Sequence, residues 1–540
     1  MDKLPGSDVH YGTHGMVASA SPRAVAAGLD ILKRGGNAFD AALAVASVEW
    51  VTLPASCGLG GDVFAVFYSA KDDRVGAING SGMSAMRATR DYYVHQGLDH
   101  MPLTGWHAAA VPGAPHAYET LVREFGTMPL GELLSQAVVY AEKGIVVSDK
   151  MSRTISGGAK KLGQFPESAA IYLPKGQAPR PGERWVLPDL ARTIRTFAKQ
   201  GSDAFYKGDI AAEIVRASGE NGGIFGPEEF AEHTTDLYEP LHTQYRGVGV
   251  YATAPPSQGL IVLEWLNLLS GYDLRSMGVG SADVIHLLVE AKKLAFADRL
   301  RYCGDPRVID NPLDDLLSMG YADERRKTID VTRANDTPVS GILPERAGDT
   351  SYFAVADGQG NAVSFIHSLS AGFGSGVVAG NTGIILNNRA GRGFTLEEGH
   401  PNVIDGGKKT MHTLNCYMLM RDGHMFLVGG TPGGDKQPQW NVQTITNLVD
   451  FDMNVQEAAE APRWVSWPGT DPAAIDTPFE LQMENRFGAS VVAGLEKRGH
   501  RVSSMGDWGG GSAVQLIMRD EQGTLRGGSD PRAGGMAVGF

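Results

Sequence analysis

The sequence predicts an α+β protein in which helical layers cover a sandwich of antiparallel β-sheets. Three observations lead to this prediction. The pattern from Ala114 to Ala297 is mostly helical. The chain beyond Gly348 is rich in strand patterns. Turn residues at Asp357-Gly358-Gln359-Gly360 and at Asp422-Gly423 join consecutive strand patterns, as antiparallel hairpins require.

Two helices and a hairpin open the pattern. Ser21-Pro22 is a typical cap and first-turn pair, and Gly35-Gly36 ends the first helix. The second helix begins near Asn37 and is apolar nearly all round, which predicts a buried helix. A hairpin follows, with its turn at Asp72-Asp73.

The strand-rich part of the chain begins after a polar loop. The stretch from Val331 to Gly348 is punctuated by proline and glycine, as exposed loops are. Helices such as "NVQTITNLVDF" and "NVQEAAEAP" separate the later strands. The predicted strands lie in "SYFAVAD", "AVSFIHSLS", "GIILNN", "LNCYMLMRDGHMFLVGG" and "AVQLIMRDEQGTLRGGSD".

Composition limits the classes of function. The 540 residues are 42% hydrophobic and 20% charged, as in ordinary folded proteins. A net charge of −13 disfavours nucleic acids and anionic membranes as partners and favours a small-molecule substrate. Cys57, Cys303 and Cys416 lack metal-ligand spacing and favour a reducing compartment. Because the sequence shows neither a signal-like apolar run at its start nor a long apolar segment, we expect a cytoplasmic protein.

The hairpin after the polar loop places two hydroxyl groups together. If it centres on Gln359, residues whose numbers sum to twice 359 face one another, so Thr350 faces Ser368. A bulge would instead bring His367 or Leu369 opposite Thr350. Two facing hydroxyl groups can also be a simple cross-strand pair without a catalytic role.

Several long motifs are spread over most of the chain. They include "ASASPRAVAAGLDILKRGGNAFDAALA", "DTSYFAVADGQGNAVSF", "GFGSGVVAGNTGIILNN", "GGTPGGDKQP" and "GSDPRAGGMAVGF". In this order they resemble the γ-glutamyltransferase family of amino-terminal-nucleophile hydrolases. Several long motifs are a stronger signal than one glycine-rich loop. The resemblance implies a four-layer αββα sandwich.

The resemblance also implies that the chain cuts itself between Asp349 and Thr350. Residues 1–349 would form a large segment and residues 350–540 a small one, and both would belong to one body. Thr350 would be the nucleophile, and its new α-amine, with an ordinary pKa near 8, would act as its base. Ser368 matches a hydroxyl residue that hydrogen-bonds the nucleophile in the family.

Backbone groups are expected to complete the catalytic machinery. By resemblance, Gly433 and Gly434 in "TPGGD" form the oxyanion hole, where side chains would block close approach. The alternative is a plain glycine turn between a strand and a helix. Asp62 in "GGD" either lines the site or caps backbone donors. Since the HExxH, P-loop and GxSxG patterns do not occur, we expect neither a metal nor a cofactor.

Four departures from glutamyl-transferring members fall in one pocket. Ser81 stands where the family has an arginine for the donor carboxylate. Arg389 and Arg392 stand where acidic and amide residues hold the donor amino group. His412-Thr413 replaces a serine pair, and the segment from residue 394 to residue 409 is shorter than the family's lid-bearing loop.

These departures predict a different acyl group. An arginine repels an ammonium group and can bind a carboxylate through two charged hydrogen bonds. We expect an amidohydrolase for small amides with an anionic acyl part, similar to the family's cephalosporin acylase-like proteins and oxamate amidohydrolase. The alternatives are structural arginines, true γ-glutamyl transfer or glutathione hydrolysis, and a non-catalytic small-molecule binding protein. A homo-oligomer is compatible with the sequence, which does not reveal the oligomeric state.

Overall fold

Two seven-stranded sheets lie face to face at the centre of the protein, and helices cover the outer face of each. The structure is a computed structural model that describes residues 8–335, 350–469 and 478–540. The α+β prediction and its four αββα layers are confirmed.

The strands are short and mostly antiparallel. They are β1 (His10–Gly12), β2 (Gly15–Ser19), β3 (Asp62–Ser69), β4 (Arg74–Gly80), β5 (Ile145–Val146), β6 (Arg184–Trp185), β7 (Asp236–Tyr238), β8 (Leu241–Tyr245), β9 (Val248–Ala252), β10 (Ser351–Asp357), β11 (Ala362–Ser368), β12 (Tyr417–Arg421), β13 (His424–Gly430), β14 (Trp464–Trp467), β15 (Glu480–Met483), β16 (Val502–Ser504), β17 (Gln515–Arg519), β18 (Leu525–Ser529) and β19 (Met536–Gly539).

The helices form the two outer layers. They are α1 (Pro22–Lys33), α2 (Ala38–Thr52), α3 (Arg90–His95), α4 (Ala114–Phe125), α5 (Leu130–Leu133), α6 (Ser135–Lys143), α7 (Asp149–Leu162), α8 (Pro166–Tyr172), α9 (Pro188–Gln200), α10 (Ser202–Tyr206), α11 (Asp209–Glu220), α12 (Pro227–Ala231), α13 (Gly259–Leu269), α14 (Leu274–Met277), α15 (Ala282–Tyr302), α16 (Leu313–Leu316), α17 (Met319–Arg326), α18 (Arg389–Gly393), α19 (Lys436–Val449), α20 (Val455–Glu460) and α21 (Ala489–Lys497).

The first sheet has the strand order β19-β2-β10-β11-β3-β4-β7, and the second has the order β1-β18-β17-β13-β12-β9-β8. Each sheet therefore combines strands from residues 1–349 with strands from residues 350–540. This interleaving makes one body of the two predicted segments, while the boundary between them stays a prediction. Two smaller sheets, β14-β15-β16 and β5-β6, lie outside the sandwich.

Three apolar cores fill the spaces between the four layers. Along β10, Tyr352, Ala354 and Ala356 face the core between the sheets, whereas Phe353 and Val355 face the helices over the first sheet. This alternation is the period-2 pattern of a strand buried on both faces. It places the side chain of Thr350 on the inter-sheet face and that of Ser351 on the helical face.

The early elements form as predicted. Helix α1 begins after Ser21, whose hydroxyl accepts a hydrogen bond from the Ala24 backbone. Helix α2 follows, and all of its residues are buried. Strands β3 and β4 flank the predicted turn at Asp72-Asp73.

The stretch from Ala114 to Ala297 is mostly helical, as predicted, but one detail was missed there and one strand prediction was wrong. The stretch also contains the five short strands β5 to β9, and the β8–β9 turn at Arg246-Gly247 uses positive φ at both residues. A single glycine gave only a weak turn signal there. The predicted strand "GIILNN" forms one isolated bridge, Val378↔Ile385, because its later backbone N–H groups bond to loop carbonyls instead of a ladder.

Most of the predicted polar loop before Thr350 lies outside the described residues, and so does Asp349. No helix within the described ranges is both long enough and apolar enough to cross a bilayer. The cytoplasmic location stays a prediction.

Candidate active site

Thr350 and Ser368 face one another at the open end of the hairpin. Strands β10 and β11 pair in one unbroken register that begins with Ser351 opposite His367, so the next pair is Thr350 with Ser368. Their hydroxyl oxygens lie 3.1 Å apart, and both side chains are buried. The predicted pairing is confirmed, and the alternative bulge does not occur between these two strands.

Ser370 fixes the position of the Ser368 hydroxyl. Its backbone N–H donates a hydrogen bond to Ser368 Oγ at 2.8 Å. Ser370 has a φ of +83°, a left-handed conformation that few residues other than glycine adopt. This sharp turn directly after β11 brings the Ser370 amide back to the Ser368 side chain, so the hydroxyl that faces Thr350 is held in place.

Asp62 extends this row of polar side chains across a third strand. It is the first residue of β3 and lies opposite Ser368. The fully buried carboxylate accepts hydrogen bonds from Gly82 N at 2.9 Å and from Arg389 Nε at 3.2 Å. Burial raises the pKa of Asp62 above its ordinary value, and the Arg389 charge opposes this rise. Asp62 therefore both lines this region and caps a backbone donor.

Arg389 and Arg392 lie on the short helix α18, and both are buried. Arg389 forms an ion pair with Asp62. Arg392 Nη1 donates to Ser370 O at 3.0 Å and to Ser370 Oγ at 3.3 Å. Each arginine is therefore one residue removed from the Thr350–Ser368 pair, Arg389 through Asp62 and Arg392 through Ser370. The structure brings together the two cations that the sequence singled out.

The other predicted binding residues, His412, Ser81 and Thr413, make different kinds of contact. His412 Nε2 lies 3.9 Å from Asp62 Oδ2, and burial, together with the Arg389 and Lys409 charges, holds the pKa of His412 well below its ordinary value. The imidazole is therefore neutral. Ser81 Oγ donates to Asn79 Oδ1 at 2.6 Å. Thr413 contributes its backbone carbonyl, which accepts a hydrogen bond from the Gln258 amide.

Gly433 and Gly434 lie between β13 and α19. Their φ values of +135° and +60° fall in the left-handed region that favours glycine, and a Cβ on Gly433 would come within 2.6 Å of the Trp440 ring. The end of β13 lies over the start of β10, since a Cβ on Gly430 would come within 2.5 Å of the Tyr352 ring. The glycine loop thus begins close to the strand that Thr350 precedes. Its role as an oxyanion hole stays a prediction.

The sequence analysis missed a buried polar cluster behind the hairpin, made of Glu49, Ser351, His367 and Tyr118. Glu49 accepts hydrogen bonds from Ser351 Oγ at 2.6 Å and from His367 Nε2 at 2.7 Å. The signal was a single glutamate near the end of a helix that is otherwise almost entirely apolar. Since such a residue cannot stay buried without donors, it should have prompted a search for them.

Two groups of described side chains lie close enough together to hold a metal ion, Glu49 with Cys57 and His367, and His286 with Glu290 and His500. In the first group, His367 already binds Glu49. In the second, His286 Nδ1 lies 2.8 Å from His500 Nε2, and Lys293 donates to Glu290 at 2.7 Å. Because these contacts use the atoms that would bind an ion, we assign a metal to neither group.

Comparison with known proteins shows the family to which the chain belongs. A family model described as gamma-glutamyltranspeptidase matches residues 24–540. The "Glutathione hydrolase-like YwrD proenzyme" of Bacillus subtilis is 39% identical over 98% of this chain and 99% of that protein. The "Oxamate amidohydrolase proenzyme" of Klebsiella pneumoniae is 33% identical over 98% and 99%.

A solved structure extends the likeness to the fold. The crystal structure of cephalosporin acylase from Bacillus halodurans matches with a TM-score of 0.92 and 35% identity, covering 100% of this chain and 98% of that one. A non-catalytic binding protein, one of the alternatives that the sequence left open, has no support among these enzymes. The chain therefore belongs to the γ-glutamyltranspeptidase family, has the αββα fold of amino-terminal-nucleophile hydrolases and is a hydrolytic enzyme.

Proposed function

We propose that the protein is a self-processing threonine amidohydrolase that cleaves small amides with an anionic acyl part. The observation that carries the proposal is the buried Thr350–Ser368 hydroxyl pair, at 3.1 Å, with Arg389 one ion pair away through Asp62. A hydroxyl nucleophile needs an orienting partner, and an anionic acyl group needs a nearby cation.

Self-cleavage is the first step of the proposal. Thr350 Oγ attacks the carbonyl carbon of Asp349, and the Thr350 nitrogen leaves that carbonyl and takes up a proton, so that an ester replaces the peptide bond. Water then hydrolyses the ester, which frees the Asp349 carboxylate and restores the Thr350 hydroxyl. The new α-amine of Thr350 can accept the proton of its own hydroxyl. The proenzyme names of the relatives support this step.

Turnover repeats the same chemistry on a substrate amide. Thr350 Oγ attacks the amide carbonyl, its proton passes through the α-amine to the leaving nitrogen, and an acyl ester remains on Thr350. Water then releases the acid. Backbone N–H groups of Gly433 and Gly434 would stabilise the oxyanion in both halves, an effect that typically contributes about 3 kcal/mol for each donor.

The charges beside the nucleophile favour an anionic acyl group. Two buried arginines, Arg389 and Arg392, border the Thr350–Ser368 pair, and Arg389 is paired with the buried carboxylate of Asp62. His412 adds no charge, since its pKa lies well below the ordinary value. The two arginines would attract a substrate carboxylate, whereas they would repel an ammonium group beside it.

A γ-glutamyl amide is the second candidate, and Asp62 is the observation that favours it. This carboxylate lies opposite Ser368 and could accept hydrogen bonds from an α-ammonium group. The likeness to a glutathione hydrolase-like protein points the same way. Against it, Asp62 already accepts hydrogen bonds from Arg389 and from the Gly82 backbone.

Three matched anilides separate these candidates. Butyryl p-nitroanilide has a neutral acyl group, glutaryl p-nitroanilide adds a carboxylate, and L-γ-glutamyl p-nitroanilide adds an α-amine to that carboxylate. We expect purified, processed protein to hydrolyse the glutaryl compound with the highest kcat/KM. One charged hydrogen bond gives about a 10- to 150-fold advantage over the butyryl compound. A preference for the γ-glutamyl compound would establish the second candidate and overturn the acyl assignment.

A further inference from the structure

Glu49 links helix α2 to three strands of the first sheet through side-chain hydrogen bonds. Its fully buried carboxylate accepts hydrogen bonds from Ser19 Oγ at 2.5 Å, from Ser351 Oγ at 2.6 Å and from His367 Nε2 at 2.7 Å. These donors lie on β2, β10 and β11, which are neighbours in the sheet. A carboxylate accepts hydrogen bonds and donates none, so three donors suit its ionised form.

The donors are ordered by a chain of hydrogen bonds that begins at Trp50. The indole Nε1–H of Trp50 can only donate, and it lies 3.1 Å from the Tyr118 oxygen. At the other end, the Glu49 carboxylate only accepts, so His367 Nε2, 2.7 Å away, carries a hydrogen. In the neutral imidazole Nδ1 is then an acceptor, and the Tyr118 hydroxyl donates to it at 2.8 Å. Every hydrogen bond in the chain thus runs towards Glu49, which fixes the tautomer and orientation of His367.

The two bonds that matter for the nucleophile meet at one atom. Ser351 and His367 both donate to Oε2 of Glu49, and they are the cross-strand pair directly next to Thr350 and Ser368. Since side chains alternate along a strand, Thr350 and Ser368 face the inter-sheet side while their neighbours face Glu49. One carboxylate oxygen therefore joins the two strands at the last pair before the hydroxyl groups.

We infer that Glu49 is a positioning residue for the nucleophile. By holding Ser351 and His367 at one point, it sets how closely the ends of β10 and β11 approach and thereby sets the distance between the Thr350 and Ser368 hydroxyl groups. Self-cleavage and turnover both depend on that distance. The inference rests on the proposed function, because it requires Thr350 to be the nucleophile.

The first test is Glu49→Gln. Glutamine has the same shape as glutamate, but only one of its two terminal atoms is an acceptor oxygen. Its NH2 group would face hydrogen-bond donors that the carboxylate now accepts from. We expect self-cleavage of isolated precursor and kcat for glutaryl p-nitroanilide to fall about 10- to 100-fold, the effect of displacing a reacting group by a fraction of an ångström to about one ångström. KM should stay within about twofold, because Glu49 does not face the acyl pocket. A proportional loss of folded protein by circular dichroism, with kcat per folded molecule unchanged, would overturn the inference.

A second pair of variants keeps the inference testable if Glu49→Gln does not fold. Ser351→Ala and Ser19→Ala each remove one donor from the same carboxylate, but Ser19 lies on β2 and binds the other oxygen. A purely structural carboxylate would respond alike to both changes. We expect Ser351→Ala to lower kcat and the self-cleavage rate at least about fivefold more than Ser19→Ala. Equal effects of the two changes on kcat would overturn the positioning role.

Controls separate this inference from the proposed function. Glu264→Gln changes a buried glutamate in the other helical layer and should leave kcat and self-cleavage unchanged. If Thr350→Ala still cleaves itself or turns over the anilide, Thr350 is not the nucleophile, and the proposed function and the inference both fall. If Thr350→Ala is inactive while Glu49→Gln and Ser351→Ala behave as wild type, only the inference falls.

Discussion

The same dipeptide, Glu-Trp, lies in both helical layers, but the two layers treat its glutamate in opposite ways. Glu49 in α2 and Glu264 in α13 are both buried, and each precedes a buried tryptophan. Glu49 accepts three hydrogen bonds from side chains of the first sheet. Neither carboxylate oxygen of Glu264 accepts a hydrogen bond from a donor in the described residues, and its neighbour Asp298 is a second acid.

The elements that face each glutamate explain the difference. Asp298 takes the available donors near Glu264: the Tyr321 hydroxyl at 2.9 Å and the Arg325 guanidinium at 3.1 Å. Burial and the Asp298 charge then raise the pKa of Glu264 well above its ordinary value, so that it holds a proton. An acid in an apolar helix therefore points to a functional region only when the elements packed against it bring donors, as β2, β10 and β11 do for Glu49.

The largest effect is expected at Thr350, the proposed nucleophile, which lies in the first sheet beside the residues that bind Glu49. Thr350→Ala should leave the chain uncut and abolish turnover, because neither acyl transfer has a hydroxyl oxygen to form its ester. A denaturing gel with intact-mass measurement checks this. Wild type should give fragments 1–349 and 350–540, and the variant should give one chain.

Thr350→Ser is the matched control, since it keeps a hydroxyl group at the same position. We expect slower but detectable cleavage at the same peptide bond. Wild-type protein that is fully active as an intact chain would contradict the assignment of Thr350, whatever the behaviour of the variants.

The next largest effect on activity is expected from substituting the arginines. Arg392→Met should lower kcat/KM for glutaryl p-nitroanilide about 10- to 150-fold, through the loss of one charged hydrogen bond. Hydrolysis of butyryl p-nitroanilide and self-cleavage should fall much less, because they lose only the hydrogen bonds of Arg392 to Ser370 and use no substrate carboxylate. Steady-state kinetics on the two anilides measure the difference directly.

Arg389 needs a paired design, because its removal would leave the buried Asp62 carboxylate without its ion-pair partner. Arg389→Met combined with Asp62→Asn removes both charges and should show the same selective loss on the glutaryl compound. If the double variant and Arg392→Met both keep the wild-type ratio of glutaryl to butyryl hydrolysis, the arginines are structural, and the substrate assignment fails while Thr350 stands.

Local signals were enough to predict the hairpin at whose start the proposed nucleophile lies. Asp357 accepts hydrogen bonds from the backbone N–H groups of Gln359 and Asn361, at 2.9 and 3.0 Å, so the turn is held by its own residues. A turn fixed in this way sets the register of both strands, and the Thr350–Ser368 pair follows from it.

Contacts between distant segments could not be predicted in the same way. Arg389 is 327 residues from Asp62, and His367 is 318 residues from Glu49, so no local spacing relates either pair. The sequence therefore pointed to Arg389 as a cation without revealing that Asp62 shares its charge. It also predicted that α2 is buried without revealing that the strand end next to Thr350 supplies donors to it.

The smallest effect on activity is expected at Glu264. Because Glu264 lies in the other helical layer, its substitution should change stability and leave catalysis unchanged. The raised pKa means that the native state keeps a proton which the unfolded chain releases near the ordinary value of 4.5. Stability should therefore fall as the pH rises through the window between these two values. Glu264→Gln does not titrate and can donate its amide hydrogens to Asp298. Its stability relative to wild type should therefore be greater at pH 8 than at pH 5, because only the wild-type chain must take up a proton on folding. Urea unfolding midpoints at the two pH values measure this. A stability difference between variant and wild type that is the same at both pH values would mean that Glu264 takes up no proton on folding, and the contrast between the two layers would disappear.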